Sequence, residues 1–195
     1  LVITSGLYLL YCFFTLPDIE QAVSRTRQPS TTITAENGNE VATYGQVYSA
    51  VVMPDYLPKY TTEAIIATED RRFYQHFGFD IIAFTRAMAV NLIKGRYAQG
   101  GSTITQQVAK NFLLTSELSY IRKIKEAILA TRMEQAFTKD HILELYLNEI
   151  YLGNRSYGVA AAALNYFGKS LNELTIEETA YLAALPKGPN NYNPK

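Results

Sequence analysis

The sequence is short of the residues that hold metals and cross-links. Cys12 is its one cysteine, so no internal disulfide can form and no cysteine-based metal site exists. Two histidines, His76 and His141, leave too little for a zinc site. Net charge is also missing: 18 Lys/Arg balance 18 Asp/Glu. The chain as a whole therefore points to no partner of one sign, nucleic acid included. Repeats and low-complexity tracts are absent. No apolar run reaches the roughly 20 residues of a full membrane span. Residues 1–16 come close, with no charge at all and with Tyr8 and Tyr11 suited to an interface. No small-x-small cleavage site follows them, which argues against a signal peptide. The simplest reading is the C-terminal part of a transmembrane anchor; an ordinary buried helix is the alternative.

What is present is unevenly spread. Residues 69–132 carry ten Lys/Arg against five Asp/Glu, whereas the segments on either side are acidic. The middle third is therefore the expected anion-binding part. Residues 17–45 read as a connector with short strands: Pro29-Ser-Thr-Thr-Ile-Thr, a turn at Glu36-Asn-Gly-Asn, then Glu40-Val-Ala-Thr-Tyr. From about Thr61 the pattern is helical, so the fold class is mainly α with a short N-terminal hairpin. Helices are expected over Thr62 to Asp70 and from an Asp80 cap to Lys94, the latter with Ile81, Phe84, Met88 and Leu92 at helical spacing and Gly95 as the stop. Thr103 with Gln106 fits a capping box ahead of an Ile104, Val108, Phe112 stripe. Ser119 opens a long helix to about Phe137, with Ile121, Ile124, Ile128, Leu129 and Met133 turned inward. Another helix runs from Thr138 to Gly153, and one of small residues from Val159 to Phe167. A last one starts at a Thr175/Glu178 capping box and stops before Pro186.

Three clusters carry chemistry. Glu69-Asp70-Arg71-Arg72-Phe73, followed by His76 and Gly78, ends an apolar helix. A carboxylate there is partly desolvated, which favours proton transfer; alternatively Glu69 is a helix-end charge paired with Arg71 or Arg72. Gly100 to Gln107 reads Gly-Gly-Ser-Thr-Ile-Thr-Gln-Gln and is the most telling stretch. Its hydroxyls and amides, at a helix start with free backbone N–H groups, suit a ligand rich in hydroxyl and phosphate oxygens. A capped polar helix start explains Ser102 and Thr103, but not the adjacent Gln106 and Gln107. The glycine pair would let this loop move. Arg122-Lys123-Ile124-Lys125-Glu126 places residues 122, 125 and 126 on one helical face. Two cations and a carboxylate there could stabilise a departing diphosphate or hold a divalent metal; a solvated face is the alternative.

Taken in order, these segments resemble the peptidoglycan glycosyltransferases, glycosyltransferase family 51. That domain occurs in class A penicillin-binding proteins and in monofunctional transglycosylases. The resemblance rests on Glu69-Asp70-x-x-Phe73-x-x-His76-x-Gly78, Gly101-Ser102-Thr103-x-Thr105-Gln106-Gln107, Arg122-Lys123-x-x-Glu126, Ile142-Leu-x-x-Tyr146-Leu-Asn148 and the Pro186 to Pro194 end. It covers about residues 40–195, with the glycosyltransferase domain placed at 46–195. It implies a lysozyme-like fold with a large head lobe and a small membrane-associated jaw that contains residues 81–97. It also implies polymerisation of lipid II on the outer face of the cytoplasmic membrane, beside other cell-wall synthesis proteins, and inhibition by moenomycin. Carried onto this chain, Glu69 is the general base, and Glu126 sits by the diphosphate with a divalent cation, Mg or Mn. Lys110, Arg122, Lys125 and Arg86 neutralise the leaving group. Ser102, Gln106 and Gln107 hold donor oxygens, while Asp70, Phe73 and His76 shape the site. No Ser-x-x-Lys occurs, so no transpeptidase site lies within these residues.

Overall fold

The computed structural model describes residues 11, 14, 16, 18, 19, 31–37, 40–44, 47, 48, 51–96, 98–113 and 120–192. The anchor expected over 1–16 falls almost wholly outside them, as do Ser119 and Pro194. Among the described residues no helix is long and apolar enough to cross a membrane. In chain order the strands and α-helices are β1 (Thr31–Thr34), β2 (Glu40–Tyr44), β3 (Val47–Tyr48), α1 (Lys59–Glu69), α2 (Ile81–Lys94), α3 (Ile104–Leu113), α4 (Tyr120–Ala136), α5 (Lys139–Glu149), β4 (Ser156–Tyr157), α6 (Val159–Phe167) and α7 (Ile176–Ala184). The protein is thus mainly helical, as the sequence pattern implies. It divides into two compact units: unit 1 is Leu1–Arg25 with Arg72–Leu143, and unit 2 is Thr26–Arg71 with Glu144–Lys195.

Unit 2 holds both small sheets. β1 and β2 form the expected antiparallel hairpin, with Thr31 opposite Tyr44 and Ile33 opposite Ala42. β3 runs parallel to β4, Val47 beside Ser156. α1 begins three residues before the expected Thr62, directly after Pro58, which is its N-cap with φ −53° and ψ 129°. It packs on α7. Thr68 Oγ1 donates to the Ala183 carbonyl at 3.2 Å, and the Tyr60 hydroxyl to that of Leu174 at 2.9 Å. Ala161, Ala162 and Ala163 of α6 are all buried, so the neighbouring elements approach it closely. The helix expected to reach Gly153 stops at Glu149. Gly153, Asn154 and Arg155 all have positive φ (86°, 45° and 60°), which a right-handed helix cannot contain. The chain turns there instead, and the Leu152 N–H meets the Ser156 carbonyl at 3.0 Å.

Unit 1 is built on α3 against α4. Its core contains Phe73, Ile104, Val108, Ala109, Leu129, Ala130, Met133, Ile142 and Leu143. The caps form as the sequence predicts. Asp80 Oδ1 accepts from the N–H groups of Ile82 and Ala83 at 2.9 and 3.0 Å, and Gly95 closes α2 in the left-handed region. Two apolar stripes behave differently from expectation. On α4, Ile121 and Ile124 are exposed, and the buried stripe is Glu126, Leu129, Ala130 and Met133. That stripe has the same helical period in a different phase, and it carries a carboxylate into the interior. On α2, Ile81, Phe84, Met88 and Leu92 are all exposed, Leu92 by 84 %, and only Ala87 is buried.

Candidate active site

Glu69 is the last residue of α1 and is half-buried; Asp70 follows it and is buried, its N–H bonded to the Ile66 carbonyl at 3.0 Å. Both belong to unit 2, as does Tyr146 of α5. Burial pushes the Tyr146 phenol well above its usual value of 10.0, and the charges of Glu69 and then Asp70 push it the same way. The two carboxylates therefore lie within electrostatic reach of one buried phenol. The sequence leaves Arg72 open as a partner for Glu69. Its Nε instead lies 3.1 Å from Asp80 Oδ2, in unit 1, although its N–H is not aimed for a hydrogen bond.

The segment before α3 is fixed at several points within unit 1. The Asn91 side chain of α2 donates to the Gln99 carbonyl and accepts from the N–H groups of Ala98 and Gln99, at 2.7 to 2.9 Å. A Cβ on Gly101 would lie 3.1 Å from the Phe84 Cα and 3.2 Å from the Ala87 Cβ. Glycine at that position thus has a packing reason: it admits the α2 backbone. Thr103 and Gln106 form the reciprocal cap that the sequence predicts. The Thr103 N–H donates to Gln106 Oε1 at 3.0 Å, and the Gln106 N–H to Thr103 Oγ1 at 3.1 Å. Gln106 is consequently buried, with its Nε2 in contact with no acceptor. Gln107 and Ser102 are half-buried.

Ser102 meets the basic cluster. Lys123 Nζ donates to Ser102 Oγ at 2.8 Å and to Glu126 Oε2 at 2.7 Å. Arg122 Nε lies 3.2 Å from Glu126 Oε1, an ion pair without hydrogen-bond alignment. The Glu126 side chain is 3 % exposed. A carboxylate taken so far out of water needs charge compensation, and two cations from its own helix supply it. The helical face predicts Lys125 beside Glu126, but the structure uses Lys123. Its sequence signal was a lysine three residues before the carboxylate, a spacing that also brings side chains together. Lys125 is half-buried, and Lys110 and Arg86 are exposed; none of them takes part in the ion pairs of Glu126. Phe73 is fully buried, its ring edge-on to Tyr74 and to the buried His76, with centroids 5.1 and 6.3 Å away.

A resident divalent cation does not fit this donor set. Both Glu126 oxygens already face cationic side chains. Among the described residues no three His, Cys, Asp or Glu side chains gather. Hard cations need about six oxygen ligands, and one paired carboxylate is a poor start.

The Transglycosylase family profile matches residues 37–195. Penicillin-binding protein 1A of Escherichia coli (strain K12) is 48 % identical over 191 residues, which is 97 % of this chain and 22 % of that protein. Penicillin-binding protein 1A of Aquifex aeolicus (strain VF5) is 48 % identical over 96 % of this chain and 26 % of its own. That of Haemophilus influenzae is 51 % identical over 88 % of this chain and 20 % of its own. The chain thus spans about a fifth to a quarter of the length of these relatives. A crystal structure of Penicillin-Binding Protein 1A from Haemophilus influenzae is 30 % identical and covers 87 % of this chain and 16 % of that one; its TM-score of 0.46 is too low to inform the fold. A profile that spans most of the chain, with relatives at nearly half identity, shows that the chain belongs to the transglycosylase family of peptidoglycan glycosyltransferases.

Proposed function

We propose that this domain polymerises lipid II into β-1,4-linked glycan strands with inversion at the donor C1. Glu69 takes the proton from the 4-hydroxyl of the lipid II acceptor as that oxygen attacks C1 of the growing lipid-linked glycan. The bond from C1 to the diphosphate oxygen breaks, and its electron pair leaves with undecaprenyl diphosphate. The leaving group departs as an anion, so preorganised cations lower its barrier most.

The observation that carries this reading is the Lys123 ammonium shared between the Ser102 hydroxyl and the Glu126 carboxylate. In the resting domain the carboxylate keeps Lys123 and Arg122 in place without external anions. Diphosphate oxygens are the natural competitors for both. Lys110, Lys125 and Arg86 add positive charge to the same unit, and Ser102 and Gln107 offer donors to sugar and phosphate oxygens. Gln106 supports them by building the helix start. Asp70, Phe73 and His76 shape the surroundings of the reacting groups. The substrates carry long lipid chains, and the exposed apolar face of α2 suits a lipid surface. We place the domain on the outer face of the cytoplasmic membrane, held by an anchor that includes residues 1–16, with a lysozyme-like fold whose smaller lobe contains α2.

The test uses labelled lipid II and the full-length protein. Wild type makes moenomycin-sensitive polymer. Glu69→Gln makes none while still binding substrate, and Glu126→Gln slows polymerisation on the order of 100-fold. Release of fragments from finished cell wall, with no polymer from lipid II, would make the domain a hydrolase and overturn the proposal.

A further inference from the structure

Glu134 and Lys139 belong to none of the motifs above, yet they join two of them. Glu134 lies in the last turn of α4, and its side chain is 4 % exposed. Its Oε1 accepts from Thr105 Oγ1 at 2.6 Å and from Lys139 Nζ at 2.7 Å. Thr105 is fully buried in the first turn of α3. The same Lys139 ammonium sits 4.4 Å from the centre of the buried Phe73 ring. Two further contacts close the circuit. Thr103 Oγ1 donates to the Gly78 carbonyl at 2.6 Å. Gly78 in turn lies so near α4 that a Cβ there would be 2.6 Å from the Ala130 carbonyl carbon. One ion pair, its carboxylate side chain buried and its lysine partly so, thereby connects the Phe73 turn, the start of α3, the end of α4 and the start of α5, all within unit 1.

Buried ion pairs add little stability compared with apolar packing of the same volume, but they demand one geometry. Here that geometry bears on the Ser102 contact. Ser102 stands three residues before Thr105, and Glu126 stands eight residues before Glu134, roughly 12 Å along the helix. Sliding α3 along α4 would break the 2.8 Å contact between Ser102 and Lys123.

We propose that Glu134 and Lys139 are positioning residues for glycosyl transfer, which act through Thr105 and Phe73 to hold Ser102 against Lys123 and Glu126. The proposal rests on the reading of the domain as a lipid II polymerase. Its test measures steady-state polymerisation by the full-length protein alongside thermal unfolding and amide hydrogen exchange. Thr105→Val removes only the hydroxyl. It lowers kcat about 10- to 100-fold, as expected for a misplacement near 1 Å, while KM moves by less than about twofold. Thr105→Ser restores the rate. Exchange of the amides of residues 104–107 quickens in Thr105→Val although its unfolding midpoint stays close to wild type. Lys139→Met alone strands a buried carboxylate, so the double variant Lys139→Met/Glu134→Leu is measured beside it and loses rate while remaining folded. Wild-type kcat and exchange in both Thr105→Val and the double variant would overturn the proposal, as would a rate loss that only follows the folded fraction. If wild type makes no polymer, the polymerase reading fails, and with it the catalytic claim; exchange then still reports whether the network holds α3.

Discussion

Tyr146 brings a hydroxyl into the interior of unit 2 where no hydrogen-bond acceptor meets it. An orphaned buried polar group costs about 1–3 kcal/mol. Burial and the neighbouring Glu69 and Asp70 raise its pKa, so the phenol stays neutral after an unfolded tyrosine would ionise. The sign of the linkage follows. Its contribution is intact below the unfolded value of 10.0 and declines as pH rises through that value toward the folded one. Tyr146→Phe should therefore leave stability at neutral pH unchanged or raised, and should remove part of the alkaline decline. Urea unfolding of both proteins between about pH 7 and 11 measures this, the window being set by the ordinary tyrosine range. At this scale the Thr103/Gln106 cap and the pairing of Arg122 with Glu126 were legible because side-chain chemistry is written in the residue type. Lys123 was harder to find: it joins Arg122 in reaching Glu126 from the turn before, at i, i+3 and i, i+4, whereas Lys125 is next to the carboxylate in sequence but makes no ion pair with it.

Among the elements, the caps were readable and the buried faces were not. Asp80, the Thr103/Gln106 pair and the Thr175/Glu178 pair all cap as predicted, since a cap involves residues two or three apart in sequence. The stripes on α2 and α4 depend on what lies against the helix, and a hydrophobic period alone does not say which phase faces inward. Gly78 gives a test of how tightly α4 is seated. Its φ is +78°, and a Cβ would meet the Ala130 carbonyl carbon at 2.6 Å, whereas at Gly95 a Cβ would meet nothing within 4 Å. Gly78→Ala should thus cost about 2–4 kcal/mol from backbone strain and overpacking together. Gly95→Ala should cost only the strain, about 1 kcal/mol. Chemical denaturation of the two variants checks the order.

At the scale of the whole molecule, the largest mismatch with an aqueous surface among the described residues is α2. Leu92 and Ile93 are 84 % and 85 % exposed, so placing charge there disturbs little packing. Leu92→Glu or Ile93→Glu should change stability by less than about 0.5 kcal/mol. Each should nevertheless weaken partition of the protein shortened by residues 1–16 into lipid vesicles about tenfold, the loss of one buried aliphatic side chain at about 1.5 kcal/mol. Vesicle sedimentation against unfolding curves separates the two effects. The order of the motifs was visible in the sequence at this scale. The division into units was not, because it depends on pairings such as Val47 with Ser156 that no local pattern encodes.

That pairing also sets a timetable for the chain as it is made. Every residue of unit 1 lies at or before Leu143, whereas unit 2 needs residues up to Lys195 to join those before Arg72. During vectorial synthesis, the part that carries Glu126 can settle first, while the Glu69 half waits, unpaired, for the tail that completes it. Loop closure over such a distance must precede any gain from contact, which makes unit 2 the slow step and the half most in need of shelter while the chain is still being made.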